Sequence, residues 1–253
     1  MEFEPVILKG FDGRKEALSR IKRYEEEFTP VMFYRTNDFA HSLRVMWHLE
    51  EAMPDILSVY GSHFNVGFAR TLAQVHDDGE IITGDISLHT KEKMTEEELE
   101  QLAGKEQEAI AVLLSRYGRD ANGYNYEELL MAAKAKNRLE AQFVSFFDKF
   151  DGAGEAWHEV WAGNTHFARP AGEYIRRLND FQEKYPAMKI FFEKFPDYLP
   201  TPFDFTAVAK SGRPHSAESL RAGSGYLLYD RWKNTLTRRE GIELLVRQIE
   251  FRQ

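Results

Sequence analysis

NDFAHSLRVMWHLEEAM, residues 37–53, reads as a helix that cannot lie on a surface. Phe39, Leu43, Val45, Met46, Trp47 and Leu49 form an apolar band wider than the single stripe of a solvent-facing helix, so the segment is expected at the centre of a helical core. Asn37 or Asp38 offers the N-cap, and Pro54 is expected to stop the helix just after Met53. His41 sits inside the apolar band, where an imidazole needs a hydrogen-bond partner or a metal.

Working outward, the helical period recurs along most of the chain and few alternating runs are long enough for a half-buried strand, which predicts an all-α fold. A first helix is expected from about Arg14 to Glu27, halted by Pro30. A third approaches His76 from Phe64 through Val66, Phe68, Leu72 and Val75. Gly79 and Gly84 loosen the chain after it, and Thr83 or Asp85 is placed to cap the next element. Thr95-x-x-Glu98 and Asn125-x-x-Glu128 match the reciprocal capping pattern. They predict two long helices, one to about Tyr117 and one to about Phe150, before a break at Gly152-Ala153-Gly154.

Another helix is expected from Phe167 to Lys184. Beyond Pro186, the prolines at 196, 200, 202 and 214 predict a loop-rich stretch, followed by a last helix from about Thr237 to Phe251. The organisation read from this pattern is a helical core over residues 1–185 and a Pro-rich, aromatic C-terminal extension over 186–253, packed on that core.

With 253 residues, 43% of them hydrophobic, the chain can bury a substantial core. No run reaches the roughly 18 to 20 apolar residues that span a bilayer, and Met1 to Gly10 carries acidic residues where a secretory signal is basic, so no membrane association and a cytoplasmic location are expected. The absence of cysteine excludes disulfides, a thiolate nucleophile and Cys-bound zinc; any metal must be held by His and carboxylates. A net charge of −8 disfavours nucleic acid as a partner. A small anionic substrate is compatible with it, provided a cation or local Lys/Arg offsets the field.

The chemistry gathers around His76-Asp77. Glu80 follows His76 by four positions and Asp77 by three, so all three can address one cavity from a helix or a tight helical end. Asp148 lies late in an apolar segment after Phe143, Phe146 and Phe147, where a carboxylate needs a partner. His41, His76, Asp77 and Asp148 together make a mixed nitrogen and oxygen donor set, suited to one divalent ion: Mn, Co, Fe or Mg. Glu80 is the candidate for orienting a water or shuttling its proton. His48 lies about 10 Å along the helix from His41, too far for the same ion, and reads as structural. Lys91 is a candidate phosphate contact, with a solvated charged loop as the alternative. Trp157 and Trp161 read as core rather than as base-stacking residues.

Three segments resemble the HD-domain phosphohydrolase superfamily, and within it the 5′-(deoxy)nucleotidase branch. They are Arg35-Thr-Asn-Asp-Phe-Ala-His41-Ser-Leu, His76-Asp-Asp-Gly-Glu80-Ile-Ile-Thr-Gly-Asp85-Ile, and Asp148 with the helix that ends at Ala162-Gly163-Asn164. The resemblance spans residues 20 to 170 and implies that His41, His76, Asp77 and Asp148 bind one divalent metal, that Glu80 is catalytic, and that Asp85 faces the nucleotide. Arg35, Asp85 and Lys91 are the expected substrate contacts. Related triphosphohydrolases read His-Asp-x-Gly-His and cyclic-dinucleotide phosphodiesterases His-Asp-x-Gly-Lys, whereas this chain has Glu80 in that place. An Arg-Trp pair that helps hold the nucleotide in bacterial members falls here at Phe28-Thr29, so the base and phosphate contacts differ.

The expected activity is removal of the 5′-phosphate from a nucleoside monophosphate, with a deoxynucleotide as the expected form. The alternatives are a phosphohydrolase of another nucleotide, such as a triphosphate or a modified monophosphate, and a non-catalytic nucleotide-sensing module with a structural metal. Similar family members are commonly homodimers, which the resemblance extends to this chain as an expectation.

Overall fold

The structure, a computed structural model, describes residues 8–24, 36–86, 88–161 and 164–200. Their regular structure is helical: α1 (Arg14–Arg20), α2 (Asp38–Tyr60), α3 (Val66–Val75), α4 (Glu80–Thr83), α5 (Leu88–Lys93), α6 (Glu96–Tyr117), α7 (Tyr126–Ala135), α8 (Leu139–Trp161), α9 (Ala168–Lys184) and α10 (Pro186–Lys194). Among the described residues the sheet is a two-residue hairpin, β1 (Asp120–Ala121) antiparallel to β2 (Tyr124–Asn125). The fold is all-α. No described helix is long and apolar enough to cross a membrane.

The chain forms two compact units built from interleaved stretches. The first gathers the described residues 8–24, 36–50, 63–86 and 88–145. Its core buries Leu18, Phe68, Leu72, Val75, Leu113, Leu129 and Phe143. Phe11 stacks on Tyr117 at 5.1 Å and meets the edge of Tyr126 at 4.9 Å, and Phe64 packs edge-on to Phe143 at 5.7 Å. The second unit gathers residues 51–62, 146–161 and 164–200. Its core is aromatic: Phe146 lies 5.1 Å from Phe192 and 5.4 Å from Phe181, and Phe191 lies 4.9 Å from Tyr198.

Capping residues set several helix starts as their chemistry requires. Thr95 accepts from Glu98 N–H while the Glu98 carboxylate accepts from Thr95 N–H, the full reciprocal box. At α7 the cap is one-sided: Asn125 accepts from Glu128 N–H at 3.2 Å, and the Glu128 carboxylate instead pairs with Arg138 at 3.0 Å. Asn65 caps α3 by accepting from Phe68 N–H.

Five expected boundaries are corrected. The helix expected to run from about Arg14 to Glu27 stops at Arg20, because Ile21 turns to extended backbone and Lys22 forms an antiparallel bridge to Asn37. Pro54 does not end α2; the helix continues to Tyr60. A mid-helix proline costs about 3 kcal/mol, and here Met53 and Ile56 on either side of it are buried. Tyr198 O–H donates to Asp55 at 2.9 Å, Lys194 to Ser58 O at 3.1 Å and Tyr60 O–H to Ala187 O at 2.6 Å, so tertiary packing outweighs the lost backbone bond.

The single helix expected from Asn125 to Phe150 is two, parted where Lys136 adopts a left-handed conformation, φ 50°, and closes α7 on Ala132 O. The break expected at Gly152-Ala153-Gly154 does not occur, since α8 runs through it. Gly152 is a packing glycine: a Cβ there would lie 2.6 Å from Tyr174 Cζ. Pro186 opens α10 at its first turn, so the stretch expected to be loop-rich begins with a helix. The helix expected over 237–251 and the rest of the C-terminal extension beyond residue 200 lie outside the described residues.

Candidate active site

The first unit brings His41, His76 and Asp77 together. His41 sits one turn into α2 and is fully buried. His76 is the C-cap of α3, where the helix ends and the chain turns through Asp77 and Asp78 into α4. Nε2 of His41 and Nε2 of His76 each lie 3.3 Å from the same Asp77 oxygen, Oδ2, with the ring centroids 5.5 Å apart. Nδ1 of His76 lies 2.8 Å from Ala73 O, which fixes that nitrogen as the donor and turns the lone pair of Nε2 toward Asp77.

Metal bonds to nitrogen and oxygen of about 2.0 to 2.2 Å place neighbouring donors roughly 3.0 to 3.4 Å apart. Each imidazole nitrogen already has that spacing from Asp77 Oδ2, and ligand atoms of the two histidines lie within 4.8 Å of one another, a donor set that fits a divalent cation.

The turn is held from below by Asp78, which residue type and spacing do not single out. Asp78 is fully buried and accepts from Arg14 Nε at 2.7 Å and from Tyr126 O–H at 2.6 Å. Arg14 Nη2 lies 2.6 Å from Asp78 Oδ1 and also donates to Gln74 O, at the end of α3. Burial works against the Arg14 charge, but Asp78 outweighs it and holds the guanidinium above its ordinary range. Burial, then the adjacent Asp78 charge, pushes the Tyr126 hydroxyl well up, keeping it a donor. A buried, satisfied carboxylate next to a functional one has no distinguishing sequence signal; the run Asp77-Asp78 hides which does which.

Glu80 opens α4. Its Oε2 is shut off from solvent although the residue is partly exposed. Carboxylate oxygens of Glu80, Asp38 and Asp85 lie within 4.8 Å of one another. Burial, then the charges of Asp77, Asp38 and Asp85, raise Glu80 well above the usual carboxylate range. Burial pushes Asp38 up to about 7, with Arg23 opposing and Asp77 and Asp85 adding to the rise. Arg23 Nη1 stands 3.8 Å from Asp38. From the sequence Asp38 is only a possible cap, and nothing in its spacing announces its place beside Glu80. Asp85 accepts from Tyr24 N–H at 3.3 Å.

Of the other expected site residues, Lys91 lies 3.5 Å from Glu106 on α6, a carboxylate it shares with Lys134 at 2.9 Å. Arg35 lies outside the described residues. Asp148 belongs to the second unit, on α8, partly exposed and in contact with the Lys149 ammonium. On the same helix, Asp151, Glu155 and Glu159 are all buried, and Asn164 donates to Glu159 at 2.7 Å. Their helical spacing was the available signal for this acidic row.

None of the curated proteins matches the chain. Among solved structures, a conserved hypothetical protein from Pyrococcus furiosus superposes with a TM-score of 0.52 at 22% identity, covering 72% of this chain and 96% of that one. That likeness is one of fold. The family 5′-deoxynucleotidase YfbR-like matches residues 15–199, a span that holds α2, the His76-Asp77 turn, Glu80, Asp85 and Asp148. The chain therefore belongs to the YfbR-like 5′-deoxynucleotidase family, an HD-domain hydrolase family.

Proposed function

We propose that this protein is a metal-dependent phosphomonoesterase that removes the 5′-phosphate from a nucleoside monophosphate, preferentially a deoxynucleotide. The observation that carries this reading is the convergence of His41 Nε2 and His76 Nε2 on one oxygen of Asp77, at 3.3 Å each, with Glu80 opening the next helix. The family match supports it, because that family is one of 5′-deoxynucleotidases. His41, His76 and Asp77 would hold the ion, and the resemblance adds Asp148 as the fourth ligand. When bound, a divalent ion supplies Lewis-acid polarisation of a phosphoryl oxygen and acidifies the attacking water.

The residues of the chain do the rest. His76 keeps its Nε2 lone pair available through the Nδ1 contact with Ala73 O. Hydrolysis adds one water across the bond between phosphorus and the 5′ oxygen, so a proton must travel from the water to the leaving oxygen. Glu80 carries that proton: its carboxylate accepts from the water and its carboxylic acid donates to the 5′ oxygen. Burial and the neighbouring carboxylates raise the affinity of Glu80 for a proton, which favours the acid half of that transfer over an ordinary exposed carboxylate. Asp85 contacts the nucleotide, and Arg35 and Lys91 are the proposed cations for its phosphate.

Purified protein supplied with Mn²⁺ or Co²⁺ and a panel of nucleotides tests this reading. Inorganic phosphate released from deoxynucleoside monophosphates, and not pyrophosphate or triphosphate from triphosphates, is the expected product. Pyrophosphate or triphosphate as the main product would reassign the substrate class.

A further inference from the structure

The start of α2 carries two residues able to cap it, and Asn37 performs the capping: its Oδ1 accepts from Ala40 N–H at 2.9 Å. Asp38 is thereby left for another task. It is fully buried, which is costly for a carboxylate unless a neighbour satisfies it. Arg23 is 3.8 Å away, longer than a charge-assisted hydrogen bond. Asp38 has a carboxylate oxygen within 4.8 Å of both Glu80 and Asp85, and Glu80 turns an oxygen hidden from solvent into the same space. Both Asp38 oxygens and Glu80 Oε2 are shut off from solvent and take no other hydrogen-bond partner among the described residues, and a protonated carboxyl beside a second one is satisfied by one shared hydrogen bond, in the manner of a carboxylate dyad.

We propose that Asp38 is a positioning residue for Glu80, holding its carboxyl through a hydrogen bond in the orientation from which Glu80 exchanges a proton with the water and the 5′ oxygen. This rests on the proposed phosphomonoesterase reaction and deepens it. Asp38 lies three residues before His41 on α2, so the helix that delivers an imidazole to the ion also delivers the partner of the proton carrier. Arg23 stands behind Asp38 and limits the accumulated negative charge, while Asp77 and Asp85 face the pair from the other elements. A carboxyl already fixed by such a bond loses fewer accessible orientations on reaching the transition state.

The test uses the full chain with Mn²⁺ and deoxyadenosine 5′-monophosphate. Asp38→Ala is expected to lower kcat by about 10- to 100-fold, the usual loss on removing an outer-shell partner, with KM and Mn²⁺ affinity unchanged. Asp38→Asn, whose amide can still donate to Glu80, is expected to recover most of kcat and to shift the acid limb of the pH profile downward. Asp38→Ala in a Glu80→Gln background is expected to add little further loss. Unchanged kcat in Asp38→Ala, or fully multiplicative losses in the double variant, would overturn the proposal. If the wild type turns over no nucleotide, only the proposed reaction fails. The pairing is then decided by denaturant unfolding of Asp38→Ala, Glu80→Ala and their double variant, where additive effects overturn it and coupled effects uphold it.

Discussion

Arg14 and Asp78 form a buried ion pair, 2.6 Å between Nη2 and Oδ1, that joins α1 to the turn carrying His76 and Asp77. With Tyr126 O–H on the other carboxylate oxygen, both oxygens of Asp78 are engaged. The pair's value lies less in net attraction than in the cost of breaking it, since one partner removed leaves the other charged and buried.

Arg14→Met should therefore destabilise the fold by roughly 3 to 5 kcal/mol. The check is denaturant unfolding with matched slopes. Tyr126→Phe, which removes one donor and leaves the ion pair, should cost about 1 to 3 kcal/mol. Equal unfolding midpoints for wild type and Arg14→Met would show that the pair does not anchor the turn.

Glu80→Gln should bind Mn²⁺ as tightly as wild type and lose at least about 100-fold in kcat, the usual contribution of general acid–base catalysis. Isothermal titration with Mn²⁺ alongside phosphate release separates the two effects. Turnover unchanged in this variant would remove Glu80 from the mechanism.

The metal-free protein should show a pH-dependent difference from Asp38→Asn. Asp38 is pushed up from its ordinary 3.8 to about 7, mainly by burial. A carboxyl that holds its proton more tightly when folded gives stability that is complete below about pH 4 and is lost as the pH rises through 7. Relative to Asp38→Asn, the wild type should become progressively less stable between those limits; unfolding midpoints measured in EDTA at half-unit steps give the curve. Parallel curves for the two proteins would contradict the shift.

Gly152→Ala should destabilise by about 1 to 3 kcal/mol through overpacking against Tyr174, whose Cζ and hydroxyl oxygen lie 2.6 and 2.7 Å from the new Cβ position. A second change, Tyr174→Ala, should make the glycine substitution nearly neutral in that background. If it does not, the helix uses Gly152 for a different reason.

Much of the helical order was legible because period, caps and apolar width speak directly: α2 as a core helix, Thr95 as a full capping box, and α9 almost to the residue. The errors share a cause. Pro54 and Gly152 carry breaking signals that tertiary contacts override, from Asp55, Ser58 and Tyr60 in one case and from Tyr174 in the other. Lys136, by contrast, breaks a helix without a glycine or proline to announce it.

At the site, His41, His76, Asp77 and Glu80 were singled out by residue type and spacing, and the fold brings the first three together. Asp38 and Asp78 were not singled out. Each is an acidic residue beside another candidate, Asn37 or Asp77, and only the fold shows that Asn37 takes the cap and Asp78 takes the ion pair.

Phosphate release from deoxynucleoside monophosphates by wild type and His76→Ala, each stripped with EDTA and then supplied with Mn²⁺ or Co²⁺, bears most directly on the central claim. The account predicts that stripped wild type is silent, that added metal restores phosphate release, and that His76→Ala stays silent at the same metal concentration. Release that persists in the stripped wild type, or that metal restores equally in His76→Ala, would contradict it.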